Sequence, residues 1–242
     1  MTRGRVFVKR GPADGKCDPT QFIDAVKRLF VLLCLVLIVL LPSGHAQVFA
    51  GVSNLDEPDG SPQLGLIPEQ WLAISFTTAS GTEWSLNSAV LRLVRYGTPG
   101  PLTVSLNSDA SGQPGTPIAQ FSSTMLLESG LVNRLFVLSD PVPLTAGETY
   151  WIVGAGASSN FDNHFGWKST DGSGAETGLP GWTLSDHPAV SFNQGSSWAV
   201  RSDYPPFKVA INVVPEPGEY ALAGGLCLAG FALCRRRGNR WR

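Results

Sequence analysis

Phe207-Lys208-Val209-Ala210-Ile211-Asn212-Val213 sets bulky apolar side chains at every second position, with small or polar ones between them. Successive side chains of a pleated strand point to opposite faces, so this spacing describes a half-buried β-strand rather than a helix. The same period recurs upstream. Leu72, Ile74 and Phe76 alternate with Ala73, Ser75 and Thr77, and Leu102, Val104 and Leu106 alternate with Thr103, Ser105 and Asn107. Further strands are expected over 89–96, 118–122, 134–138, 149–155, 165–169 and 197–201. Turn clusters such as Tyr96-Gly97-Thr98-Pro99-Gly100, Ser111-Gly112-Gln113-Pro114-Gly115 and Thr145-Ala146-Gly147-Glu148 separate them, and no helical pattern outlasts a turn or two.

Eight or nine short strands punctuated by Gly and Pro, spread over residues 47–213, describe one domain long enough for a real core. The expected fold is all-β, a jelly-roll-like β-sandwich.

Past Val213 the chain changes character. Val214-Pro215-Glu216-Pro217 is followed by an apolar run, 220–234, and then by Arg235, Arg236 and Arg237, with Arg240 and Arg242 beyond. The two prolines fix φ and push the residues before them out of the helical region, so Glu216 is expected on a short, stiff, extended segment. As a helix the apolar run covers about 22 Å, short for a hydrocarbon core of about 30 Å. Snorkelling and local thinning absorb such a mismatch, and the arginines act as a stop that keeps the C-terminus cytoplasmic. With the last strand ending at Val213, the six residues 214–219 separate domain from membrane by at most about 20 Å.

The N-terminal end carries a second address. A polar, basic stretch, 1–28, leads into the apolar run 29–41; Pro42 ends it, and Ser43-Gly44-His45-Ala46 offers small residues for cleavage after Ala46. That is the order of a secretory signal peptide with a long n-region, 1–46, so the mature chain is expected to start near Gln47. The fold is thus flanked by a signal peptide and a C-terminal transmembrane helix. Cys17 and Cys34 fall in the first of these and Cys227 and Cys234 in the second, which leaves the exported part without a disulfide, thiol nucleophile or Cys-based metal site.

The order Val214-Pro215-Glu216-Pro217, apolar helix, Arg cluster resembles the PEP-CTERM sorting signal of Gram-negative bacteria. The resemblance covers 214–242 and implies an exosortase-type sorting enzyme, a membrane transpeptidase, as partner. A second resemblance rests on Trp71-Leu-Ala-Ile-Ser-Phe-Thr-Thr78, Val90-Leu-Arg-Leu93, Val104-Ser-Leu-Asn-Ser-Asp109 with Gly112-Gln-Pro-Gly115, and Leu144-Thr-Ala-Gly-Glu-Thr-Tyr-Trp-Ile-Val153. These stretches are similar to the β-rich bacterial surface domain called choice-of-anchor R, whose members carry various C-terminal anchors. That similarity implies a fold and no catalytic activity.

Charge is segregated along the chain. The formal total is −1, yet residues 47–214 hold fourteen acidic side chains against six basic ones. An acidic surface excludes nucleic acid as a partner, because phosphate binding needs a basic face. The acidic turns Asp56-Glu57-Pro58-Asp59-Gly60 and Asp171-Gly-Ser-Gly-Ala-Glu176 lack EF-hand spacing and read as solvated turns. Asp162 to His164 and Asp186-His187 lack further ligands at metal spacing and read as surface loops. No nucleophile elbow, His-Glu-x-x-His, P-loop or dinucleotide fingerprint occurs, so neither cofactor nor metal is expected.

Between 156 and 206 the chain is rich in Gly, Ser and Asn yet carries seven aromatics. Rings beside Asn and Asp on a sandwich surface suit a polysaccharide, whose sugar faces stack while its hydroxyls hydrogen-bond. Trp167 and Trp198, in strand-like contexts, are expected in the core; Trp182, between Gly181 and Thr183, is the candidate for an exposed ligand platform. The expected protein is therefore a non-enzymatic, exported surface or matrix module, tethered at the inner membrane before processing, with a polysaccharide as further partner. The rival is a surface glycoside hydrolase, since the separation of paired carboxylates is set in space.

Overall fold

The computed structural model describes residues 47–81, 83–123, 130–157 and 162–216. Fourteen strands and no helix occur among them: β1 (Phe49–Ser53), β2 (Asp59–Leu66), β3 (Trp71–Thr77), β4 (Trp84–Arg95), β5 (Leu102–Asp109), β6 (Pro114–Phe121), β7 (Gly130–Leu144), β8 (Thr149–Gly156), β9 (Phe165–Thr170), β10 (Thr177–Gly178), β11 (Thr183–Leu184), β12 (Ala189–Ser191), β13 (Ala199–Val200) and β14 (Val209–Pro215). They form two antiparallel sheets facing each other across one core, the arrangement of a β-sandwich.

The first sheet runs β10-β1-β14-β4-β9-β2, with β7 also on β4. The length of β4 explains the branching. One edge pairs with β14 over residues 84 to 91 and with β9 over 93 to 95, while the opposite edge pairs with β7 throughout. The second sheet runs β13-β12-β3-β8-β5-β6, with β11 also on β3.

Period-two patterning places the core as the sequence requires. Leu72, Ile74 and Phe76 of β3 meet Leu86, Leu91 and Leu93 of β4 and Val209, Ile211 and Val213 of β14 in one buried cluster. Trp167 is fully buried there and stacks on Phe207 at 5.0 Å. The outer face of the second sheet is covered too. Ala73, Trp151, Val153 and Ala189 form a smaller cluster, against which Trp71 and Trp198 pack half-buried. Trp198 is thus not in the central core but lies over the outside of a sheet.

The hairpin between β5 and β6 turns at Ser111 and Gly112, both with positive φ (58° and 80°). Two such residues in a row make the type I′ turn that matches strand twist. Asp109 ties the turn down, accepting from the Gly112 amide at 2.9 Å and from Trp151 Nε1 at 2.8 Å.

The last strand does not end at Val213. Val214 and Pro215 continue β14 in register with Ser85 and Trp84 of β4. A proline is tolerated there because it is the terminal residue and its missing N–H costs the ladder nothing further along. Three residues, 217–219, are left in the sequence between Glu216 and the apolar run. The predicted signal peptide, Pro217, the apolar run and Arg235 to Arg237 lie outside the described residues.

Candidate functional site

β1 and β14 are antiparallel neighbours, with Phe49 opposite Val213 and Ser53 opposite Ala210. The described chain therefore begins and ends at one end of the sandwich, which we call the exit end. Val214 is buried, and the half-buried Glu216 accepts a hydrogen bond from Ser85 Oγ at 3.4 Å. Phe49 and Trp84 close the exit end with an edge-to-face contact at 5.7 Å. Three of the four residues of Val214-Pro215-Glu216-Pro217 are thus seen, and they lie on the sheet rather than free of it.

Trp182 is not an exposed platform. Only 5 % of it is accessible, and its ring stacks on Phe76 at 6.0 Å and 7°. The neighbouring Gly51 makes room for it: a Cβ there would approach the indole to 3.0 Å. Burial leaves Trp182 Nε1 without a hydrogen-bond partner. The flanking Gly181 marks a turn at positive φ (82°), which is why the local sequence looks like an exposed loop. Among the described residues of this region the most exposed aromatic is instead Phe192, 63 % accessible on the loop that covers the outer sheet face.

An open groove of about 310 Å³ lies at the opposite end of β1 and β14. The strands bring to it side chains that are far apart in the chain: Asn54 and Glu57 after β1, Glu176 before β10, Asp186 and His187 after β11, and Asp203 to Pro206 before β14. The two acidic turns that read as separate solvated loops meet here. Gly174 packs so closely on Glu57 that a Cβ would fall 2.2 Å from its side chain.

Asn54 anchors the groove floor. Its Nδ2 donates to Phe207 O at 3.0 Å and its Oδ1 accepts from Val209 N at 2.7 Å, both buried. Behind it lies Lys208, whose ammonium is almost wholly buried and donates to Glu57 O and to Asp59 Oδ1, the latter at 2.8 Å. Asp59 also accepts from Arg92 through both carboxylate oxygens, at 2.8 and 3.0 Å. Burial pushes the Asp59 carboxyl up, but the hydrogen bonds from Arg92 and Lys208 outweigh it, so the net shift is downward.

On the wall, Glu176 receives the Leu184 amide on both oxygens at 3.0 Å. Its carboxyl is held above the usual range, first by burial and then by repulsion from Asp186 and Glu57, against the pull of that amide. Asp203 behaves oppositely: the two hydrogen bonds from Arg201, at 2.8 and 2.6 Å, hold it at about 2. The Arg201 guanidinium also lies over the Tyr204 ring, 4.6 Å from its centre.

Asp171 spends its carboxylate inside its own turn, accepting from Ser173 N and Oγ at 2.9 and 2.6 Å. His164 lies away from the groove, stacked on Tyr96 at 4.7 Å. Among the described residues no group of three or more His, Cys, Asp or Glu is placed to hold a metal ion.

Sequence reasoning missed the groove, because its walls come from four separate segments. The one local signal was Arg201-Ser-Asp-Tyr-Pro-Pro206, an aromatic and two prolines poised before the final strand. Compared with known proteins, no family model matches the chain, and no curated protein matches it either.

Proposed function

We propose that the chain is an exported, non-enzymatic β-sandwich of jelly-roll type, tethered at the inner membrane by the apolar run 220–234. In this reading it is sorted through Val214-Pro215-Glu216-Pro217 by an exosortase-type enzyme to the cell surface or a polysaccharide matrix. The strand orders β1-β14-β4-β7 and β3-β8-β5-β6, with the chain crossing between sheets, support the jelly-roll assignment.

One observation carries the functional reading: the exit end and the groove lie at opposite ends of β14, about 20 Å apart at the rise of a strand. A domain tethered at one end and open at the other suits presentation of a ligand site to the exterior. The ligand we favour is a neutral or amine-bearing glycan. The groove carboxylates accept from hydroxyls and ammonium groups, the Tyr204 ring gives a sugar face a wall, and the acidic lining disfavours uronic acids.

The test is an array of neutral, amine-bearing and uronic-acid glycans probed with residues 47–216. Binding to one of the first two classes, lost in Tyr204→Ala and kept in Phe192→Ala, is expected. Binding to none, or binding untouched by Tyr204→Ala, overturns the glycan reading. Alanine at Pro215 and Pro217 together should abolish the change in mass and destination; an unaltered mature protein overturns the sorting reading.

The raised carboxyl of Glu176 beside Asp186 favours a second reading, a glycoside hydrolase with Glu176 as general acid. Release of reducing ends that Glu176→Gln abolishes while glycan binding persists would establish it.

A further inference from the structure

Building on the sorting reading, we infer that Val214, Pro215 and Glu216 are stored as the last three positions of the sandwich and must be peeled from β4 before a sorting enzyme takes them. The argument begins with who already holds this segment. β4 occupies one edge of it, with Val214 opposite Ser85 and Pro215 opposite Trp84. Only 6 % of Val214 is accessible, and the Glu216 carboxylate, the one charged group in the motif, is engaged by Ser85 Oγ.

An active site that reads an extended substrate envelops both its edges and grips its side chains. In this protein it competes with β4 for the same backbone and with Ser85 for the same carboxylate. Processing then runs through the fraction of molecules in which the end of β14 is open, and the apparent affinity falls by that fraction. The hold is also local. Val213, one residue earlier, is fully buried and flanked by both β1 and β4, so peeling stops there without unfolding the sheet.

Pulse-chase of the full-length chain in a Gram-negative host carrying an exosortase tests this with two insertions of Gly-Ser-Gly-Ser. Placed between Val213 and Val214, the insertion lets new residues occupy the final strand positions and frees the motif. Placed between Pro217 and Gly218, it adds the same length and leaves the motif on β4. The upstream insertion is expected to speed conversion on the order of tenfold, the opening expected of a frayed strand end, and the downstream one to leave the rate within twofold. Equal rates for both insertions, or a slower upstream variant, overturn the proposal. A wild-type chain that keeps its full mass, or Pro215→Ala with Pro217→Ala processed normally, removes the sorting reading instead.

Hydrogen exchange on the full chain in micelles gives a readout free of the enzyme. The Val214 amide should exchange on the order of tenfold faster with the upstream insertion than without it; unchanged exchange overturns the stored state.

Discussion

At its start β14 is gripped from every side. Asn54 spans Phe207 and Val209 with two buried hydrogen bonds, Trp167 donates to Lys208 O at 3.0 Å, and the Lys208 ammonium reaches Glu57 and Asp59. At its end the same strand keeps one neighbouring strand, one buried valine and, of the side-chain hydrogen bonds seen at its start, a single one of 3.4 Å. A strand with a fixed beginning and a lightly held finish can transmit a pull on the tail only a short way. The grip next to the groove protects the candidate site from whatever happens at the exit end.

The largest effect should come from loosening the fixed beginning. Trp167→Ala removes the largest fully buried ring and its stack on Phe207, and should cost about 3–5 kcal/mol in denaturant unfolding of residues 47–216. A cost below about 1 kcal/mol would mean that the beginning of β14 is not the fixed end. Asn54→Ala leaves a buried carbonyl and a buried amide without partners and should cost about 2–4 kcal/mol.

Acid should reach the same end. Asp59 titrates below its ordinary value when folded, so its contribution is present above the unfolded carboxyl value of about 3.9 and is lost as pH falls through the lower folded one. Tm should therefore drop below about pH 4, and Asp59→Asn should flatten that acid limb while lowering Tm at neutral pH, since Lys208 keeps its burial and loses its counter-charge. The smallest effect belongs to the light finish. Ser85→Ala should change global stability by less than about 0.5 kcal/mol, because a contact of 3.4 Å is near the limit of a hydrogen bond. A cost above about 1.5 kcal/mol would show the finish to be as firmly held as the start.

The sandwich was legible wherever period two was clean, as in β3, β5 and most of β14. β1 was not, because Phe49-Ala-Gly-Val-Ser53 breaks the alternation at a bulge between Ala50 and Val52, where Gly51 makes way for Trp182. β2 was hidden because Asp59-Gly-Ser-Pro-Gln-Leu-Gly-Leu66 has the composition of a turn, and its pairing with β9 is irregular between Asp59 and Gln63. Pro215 ended β14 too early on paper, since a proline argues against a strand interior but not against its last position.

The groove and the fate of Trp182 share one reason for being missed. Neighbours in sequence tell whether a residue sits in a loop, but whether that loop folds over the core or away from it depends on what the distant partner leaves open. At Trp182 that partner is Phe76, and at the groove it is the meeting of Glu57 with Gly174.

Phe49 and Val213 sit opposite each other, so the domain enters and leaves through adjacent strands whose Cα atoms are about 5 Å apart. Such a body is a plug-in cassette: spliced into a surface loop of an unrelated carrier, it would demand no more room than an ordinary hairpin, and the carrier would scarcely register its presence.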